Sequence, residues 1–138
     1  MLLAIDIGNT NITCGVFRDG ALTATWRLAT RAERTSDEYG LEFVQQCRHH
    51  GIDPSGMEAV AVASVVPPLE AAIARMSRDY FQREPLFAGA ESQQVLRIEY
   101  APPADLGADR GVDAVAGVIK FGGPLVIADV RAATTLRA

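Results

Sequence analysis

A chain of 138 residues is long enough for one domain, or one and a fraction, with a real core. Its net charge of −4, with 13 Lys and Arg against 17 Asp and Glu, and the absence of any Lys/Arg cluster argue against a nucleic-acid partner. No apolar run approaches the ~20 residues of a membrane span, and two cysteines, Cys14 and Cys47, do not make a disulfide framework. The N-terminus reads as a strand with an acid at position 6 rather than as a secretion signal, so a cytoplasmic protein is expected.

Strand signals open the chain at Leu2–Asp6 and Ile12–Phe17. Asp19-Gly20 makes a hairpin turn into a third strand, Ala21–Leu28, with Leu22, Ala24, Trp26 and Leu28 alternating. Thr35-Ser36-Asp37-Glu38 is a capping box that starts a helix running to about His50 and stopped by Gly51. Tyr39, Leu41 and Val44 are its expected apolar face. His49 and His50 at its end suit the last carbonyls and the helix dipole better than a metal. The small-residue run within Met57–Val65 predicts a fourth strand buried on both faces. Pro67-Pro68 opens a second helix whose buried face is Leu69, Ile73, Met76 and Tyr80. A short strand at Leu86-Phe87 and a loop through Pro102-Pro103 follow. A third helix over Asp109–Phe121 carries Val112, Val115, Ala116 and Ile119 on one face and ends at Gly122-Gly123. The last strand is Leu125–Asp129. Three antiparallel strands feeding crossover helices make an α/β fold.

The first two strands enclose Asp6-Ile7-Gly8-Asn9-Thr10-Asn11. A carboxylate at a strand end, then a glycine, then three compact polar side chains, is what a phosphate-binding hairpin requires. Gly8 permits close backbone approach and tolerates positive φ. Asn9, Thr10 and Asn11 supply donors beside backbone N–H groups that can form an anion nest. Asp6 is placed to hold a hydrated Mg²⁺. The alternative is an ordinary Gly-Asn turn between strands. Asp109, at a helix start beside Arg110, can take a proton from a hydroxyl while the guanidinium holds a carboxylate; the alternative is a helix cap next to a surface charge.

These segments, taken in order, resemble the N-terminal half of a type III pantothenate kinase, of the actin-like superfamily of acetate and sugar kinases. Asp6-Ile7-Gly8-Asn9-Thr10 resembles the family's first phosphate motif. Trp26-Arg27-Leu28 with Arg34-Thr35-Ser36-Asp37-Glu38-Tyr39 resembles its next signature, Ser64-Val65-Val66-Pro67 the segment after its fourth strand, and Gly107-Ala108-Asp109-Arg110 its pantothenate motif. The resemblance implies a ribonuclease H-like domain at 1–108, with a mixed five-stranded sheet and flanking helices. Residues 109–138 would begin an incomplete second such domain. It implies ATP-dependent phosphorylation of pantothenate to 4'-phosphopantothenate, the first step of coenzyme A biosynthesis, with Mg²⁺ and K⁺ or ammonium as cofactors. Asp6, Ile7, Gly8, Asn9, Thr10, Asn11, Ile12 and Thr13 would line the ATP phosphates, with Asp6 near Mg²⁺ and Ala132 at a further ATP-binding position. Tyr100, Gly107, Ala108, Asp109 and Arg110 would hold pantothenate, Asp109 would be the general base, and Asp129 would bind the monovalent cation. The full-length family is expected to be homodimeric.

After Asp129 the sequence departs from the family's pattern of an aromatic residue, Gly-Thr-Ala-Thr-Thr, a hydrophobic residue and Asp. Here Arg131 stands for the glycine, Ala132 for the phosphate-binding threonine and Arg137 for the acid. Arg131 should obstruct close backbone approach and Ala132 removes a donor. The expectation is a truncated, inactive kinase, with a non-catalytic binding or regulatory relative as the alternative. The third helix and the last strand should then present uncovered apolar surface.

Overall fold

The computed structural model describes residues 1–88 and 108–122. Its elements are β1 (Leu2–Ile7), β2 (Asn11–Arg18), β3 (Ala21–Ala29), α1 (Ser36–His49), β4 (Ala59–Ser64), α2 (Pro67–Met76), β5 (Leu86–Ala88) and α3 (Ala108–Phe121). This is the expected order through the third helix. The loop through Pro102-Pro103, Gly123 and the strand at Leu125–Asp129 lie outside the described residues.

The strands form one mixed sheet in the order β3-β2-β1-β4-β5. β1 pairs antiparallel with β2 and parallel with β4; β2–β3 is antiparallel and β4–β5 parallel. This is the five-stranded mixed sheet with flanking helices that the sequence led us to expect. Period-2 alternation sends Leu3, Ile5 and Ile7 of β1, Ile12, Cys14 and Val16 of β2, and Val60 and Val62 of β4 to one face. There they join Tyr39, Phe43 and Cys47 of α1 and Leu69, Ile73 and Met76 of α2 in a single core. The other face is lined by small or polar groups such as Ala4, Asp6, Thr13, Gly15, Ala61 and Ala63.

The N-terminus of α1 forms as its sequence predicts. The Thr35 hydroxyl accepts from the Glu38 N–H at 3.3 Å, and the Glu38 carboxylate accepts from the Thr35 N–H at 2.8 Å. That second bond holds the Glu38 carboxyl below the usual carboxylate range. At the other end Gly51 adopts φ +69°, and the Ile52 N–H reaches back to the Cys47 carbonyl at 2.9 Å.

Four expectations about faces need correction. Leu41 is 65% exposed, because two residues in a helix turn it about 200° from buried Tyr39. The buried stripe is Tyr39, Phe43 and Cys47, and Val44 only flanks it. Leu22 is also exposed: the β2–β3 register shifts between Val16 and Phe17, which moves Leu22 off the Ala24-Trp26-Leu28 face. β4 is buried only through Val60 and Val62, while Ala61 and Ala63 are half-buried and Ala59 is exposed. Finally, α3 packs against β4, but it buries Gly111 and half-buries Ala114, Val115 and Val118. Of the expected face, Val112, Ala116 and Ile119 are exposed. Small side chains allow the close approach of helix to strand.

His50 caps α1, as expected of a residue at that end, but its ring also stacks on Trp26 at 5.9 Å and 21°. Trp26 packs edge-on against Phe43 as well, and its buried indole N–H lacks a partner among the described residues.

Tyr80 follows α2 and lies across Gly40 of α1, with its hydroxyl donating to Asp37 at 3.0 Å. A Cβ at position 40 would come within 2.3 Å of the Tyr80 ring. Gly40→Ala is therefore expected to lower stability by about 1–3 kcal/mol, despite alanine's better helix propensity. In a Tyr80→Ala background the same change should become neutral or stabilising. Urea unfolding of the four variants checks this, and an unchanged penalty in the Tyr80→Ala background would refute the packing argument.

Burial raises both thiols, Cys47 to about 11 and Cys14 further, with Cys47 and Asp6 adding to the shift at Cys14. Thiol ionisation is thus suppressed in the folded chain and free in the unfolded one. Stability from this source is fully present below pH ~9 and is lost as pH rises toward 11. Stability should decline over that window, and neither cysteine should react with iodoacetamide at pH 8 in the native chain. Stoichiometric alkylation of native Cys14 would contradict this.

Candidate functional site

The sheet brings four strand termini to one edge. β1 and β4 run parallel and end side by side, with Ile7 opposite Ser64 and the Val65 N–H donating to the Ile7 carbonyl at 3.0 Å. β2 starts there and β3 ends there. Loops leaving the carboxyl ends of parallel strands are the usual place for ligands in α/β sheets. The Ser64 hydroxyl accepts from the Val66 N–H at 3.1 Å, which turns the chain into α2.

The Gly8-Asn9-Thr10 loop closes with the Gly8 N–H donating to the Asn11 carbonyl at 3.0 Å. Gly8 is buried and lies outside the positive-φ region that Gly20, Gly51 and Gly122 occupy. The tolerance of positive φ noted for Gly8 is thus not used here. Asn9, Thr10 and Asn11 are exposed, and their side chains make no hydrogen bond among the described residues. Their polar atoms face solvent instead of being consumed in the turn.

A second clamp on this loop escaped the sequence reading. Thr30, one residue past β3, donates its hydroxyl to the Gly8 carbonyl at 2.6 Å and its N–H to the Thr10 carbonyl at 2.9 Å. The next residue is fixed in turn: the buried Tyr39 hydroxyl donates to the Arg31 carbonyl at 2.9 Å and accepts from the Arg31 N–H at 3.2 Å. The Arg34 guanidinium lies over the Tyr39 ring at 5.6 Å and pairs with Glu42. The signal available in the sequence was a threonine directly after a strand whose end lies beside the loop.

Asp6 is half-buried and stands in register with Thr13 of β2 and Ala63 of β4, on the face away from the core. Ile7 and Ile12 point into the core, so only their backbone can reach a ligand. Ala108, Asp109 and Arg110 form the first turn of α3, with Arg110 exposed. Tyr100, Gly107, Asp129 and Ala132 lie outside the described residues. Among the described residues no cluster of three or more His, Cys, Asp or Glu could hold a metal by protein ligands alone. Asp6 near the end of β1, beside a loop of uncommitted polar side chains, could hold a Mg²⁺ that keeps several waters.

The family model for type III pantothenate kinase matches residues 2–138. The chain belongs to the type III pantothenate kinase family. It is 42% identical over 135 residues to a type III pantothenate kinase of Bacillus cytotoxicus, an alignment covering 98% of this chain and 52% of that protein. The chain thus spans about half the length of that relative. Among solved structures, a ROK hexokinase from Thermus thermophilus matches with a TM-score of 0.50 at 17% identity, covering 64% of this chain and 35% of that one. That likeness concerns the fold. YeaZ from Pseudomonas aeruginosa matches with a TM-score of 0.46 at 15% identity, over 63% of this chain and 42% of that one. No described helix of this pantothenate kinase family member is long and apolar enough to cross a membrane.

Replacing Thr30 with valine keeps the shape and removes the hydroxyl donor to Gly8. We expect a loss of about 1 kcal/mol and roughly fivefold faster amide exchange in residues 8–11, with Thr30→Ser close to the original chain. Loop exchange that stays the same in Thr30→Val would show the clamp to be dispensable.

Proposed function

We propose that this chain carries the phosphate-binding half of a pantothenate kinase, which transfers the γ-phosphoryl group of ATP to the primary hydroxyl of pantothenate. The observation that carries the reading is the loop itself: exposed, uncommitted Asn9, Thr10 and Asn11 above a strand-end Asp6, in a chain of this family. In this reading residues 1–108 form one domain and 109–138 begin a second, in a kinase that assembles as a homodimer. Backbone and side-chain donors of residues 8–13 bind the phosphates, and Asp6 holds a water-bound Mg²⁺. Such an ion neutralises charge on the transferring group.

Asp109 accepts the proton of the pantothenate hydroxyl as the oxygen–phosphorus bond forms, and the bond to the leaving ADP breaks in line. Arg110 and Gly107 hold the acceptor, with Tyr100 packed on it, and Asp129 binds K⁺ or ammonium. A positioned base of this kind contributes ~10²–10⁴-fold. The departures at Arg131 and Ala132 favour a second reading, in which the chain binds pantothenate without turning it over.

The deciding experiment is pantothenate-dependent ADP formation by the 138-residue chain with ATP, Mg²⁺ and K⁺, beside an Asp109→Asn variant. Turnover that falls by two or more orders of magnitude in the variant supports a working site with Asp109 as base. Absence of turnover, with pantothenate still raising the thermal midpoint, supports the binding reading. Absence of both refutes the acceptor site in this chain.

A further inference from the structure

The strand register places three polar residues in one row across the sheet: Asp6 of β1 opposite Thr13 of β2, and Thr13 opposite Arg27 of β3. Directly opposed residues share a face, so Arg27 stands on the same side of the sheet as Asp6, the side away from the hydrophobic core. Two strand spacings, about 10 Å, separate their backbones, with Thr13 of β2 between them. That row is close to the edge where the loop at residues 8–10 emerges.

Arg27 also differs from the other arginines of residues 1–88 in having no structural task. Arg31 and Arg34 pair with Glu33 and Glu42, Arg75 and Arg78 with Asp79 and Glu84. Arg83 donates to backbone carbonyls and Arg18 to the Met1 sulfur. Arg48 sits in the last turn of α1, where the dipole favours a cation. Arg27 is exposed and has neither an ion pair nor a hydrogen bond among the described residues. Its strand neighbours Trp26 and Leu28 are both buried, so the strand holds its backbone rigidly while the guanidinium stays uncommitted.

We propose that Arg27 binds the nucleotide's phosphate oxygens, from the opposite side of the loop to Asp6. This rests on the reading of residues 8–13 as the phosphate site. A guanidinium presents a planar fork of donors that matches two phosphate oxygens at once. Residues 1–88 contain no lysine, so an arginine must supply any side-chain cation this half brings to the transferring group. With Mg²⁺ at the Asp6 end, the phosphates are flanked by positive charge on two sides, which is the requirement that phosphoryl transfer places on a site.

The test is calorimetric titration of the 138-residue chain with Mg·ADP and with a non-hydrolysable Mg·ATP analogue, for the unsubstituted chain, Arg27→Gln, Arg27→Lys and Asp6→Ala. Adenosine serves as a phosphate-free probe. Arg27→Gln is expected to weaken both nucleotides about tenfold or more and leave adenosine unchanged. Arg27→Lys should recover part of the loss. The thermal midpoint should not move, because Arg27 makes no hydrogen bond or ion pair among the described residues. Equal nucleotide affinity in Arg27→Gln, with Asp6→Ala weakened, would overturn the proposal while keeping the phosphate site, and would leave Arg27 an edge-strand charge. Failure of the unsubstituted chain to bind either nucleotide overturns the phosphate-site reading and this inference with it.

Discussion

Everything at the candidate site depends on the two different pairings of β1. Antiparallel pairing on one side makes β2 begin where β1 ends. Parallel pairing on the other makes β4 end there too. The same strand also divides its residues between two tasks. Leu3, Ile5 and Ile7 are almost wholly buried, and Asp6 lies between the last two on the opposite face. Because the side-chain period is two, a slip of one residue would drive Asp6 into an apolar core and Ile5 out of it. Burial of three large aliphatic side chains, each worth about 1.5–3 kcal/mol, therefore fixes the position of a carboxylate that adds nothing to the core.

The loop is held from outside as well as from within. The connected path runs from Gly8 and Thr10 to Thr30, from Arg31 to the Tyr39 hydroxyl, and through Tyr39 into the core beneath α1. Each backbone group satisfied in this way no longer competes for the polar side chains at the tip. That explains how Asn9, Thr10 and Asn11 stay uncommitted while the loop keeps a defined shape. The capping box at Thr35 contributes by setting the phase of α1, and with it the direction from which Tyr39 approaches Arg31.

Sequence periodicity made the strands, the three helices and their order legible, because each has a strong local signal: alternation in β1 and β2, a capping box for α1, paired prolines for α2. What it missed was set by neighbours distant in the chain. Leu41 looked like a core residue by type, yet helix phase excludes it. Leu22 fits the alternation of β3 until a register shift against β2 removes it. The Tyr80–Gly40 contact and the Trp26–His50 stack join residues from separate elements, and no local pattern encodes them. At the site, the composition of the loop singled out Asp6 to Thr13. The clamp by Thr30 appears only once the end of β3 is known to lie beside that loop.

Among the described residues, the hydrogen bonds that shape the loop at residues 8–10 are the β1–β2 closure, the Thr30 clamp, the Tyr39 anchor and the β4 junction at Val65. The order of this loop is therefore built into the sheet and the first helix that carry it. If the loop binds phosphate as proposed, that part of the site stays preorganised whether or not the chain turns over, because the hydrogen bonds that order the loop also stabilise the domain. That is why binding and turnover have to be measured separately: the first depends on a local clamp already in place, and the second on groups brought together from beyond it.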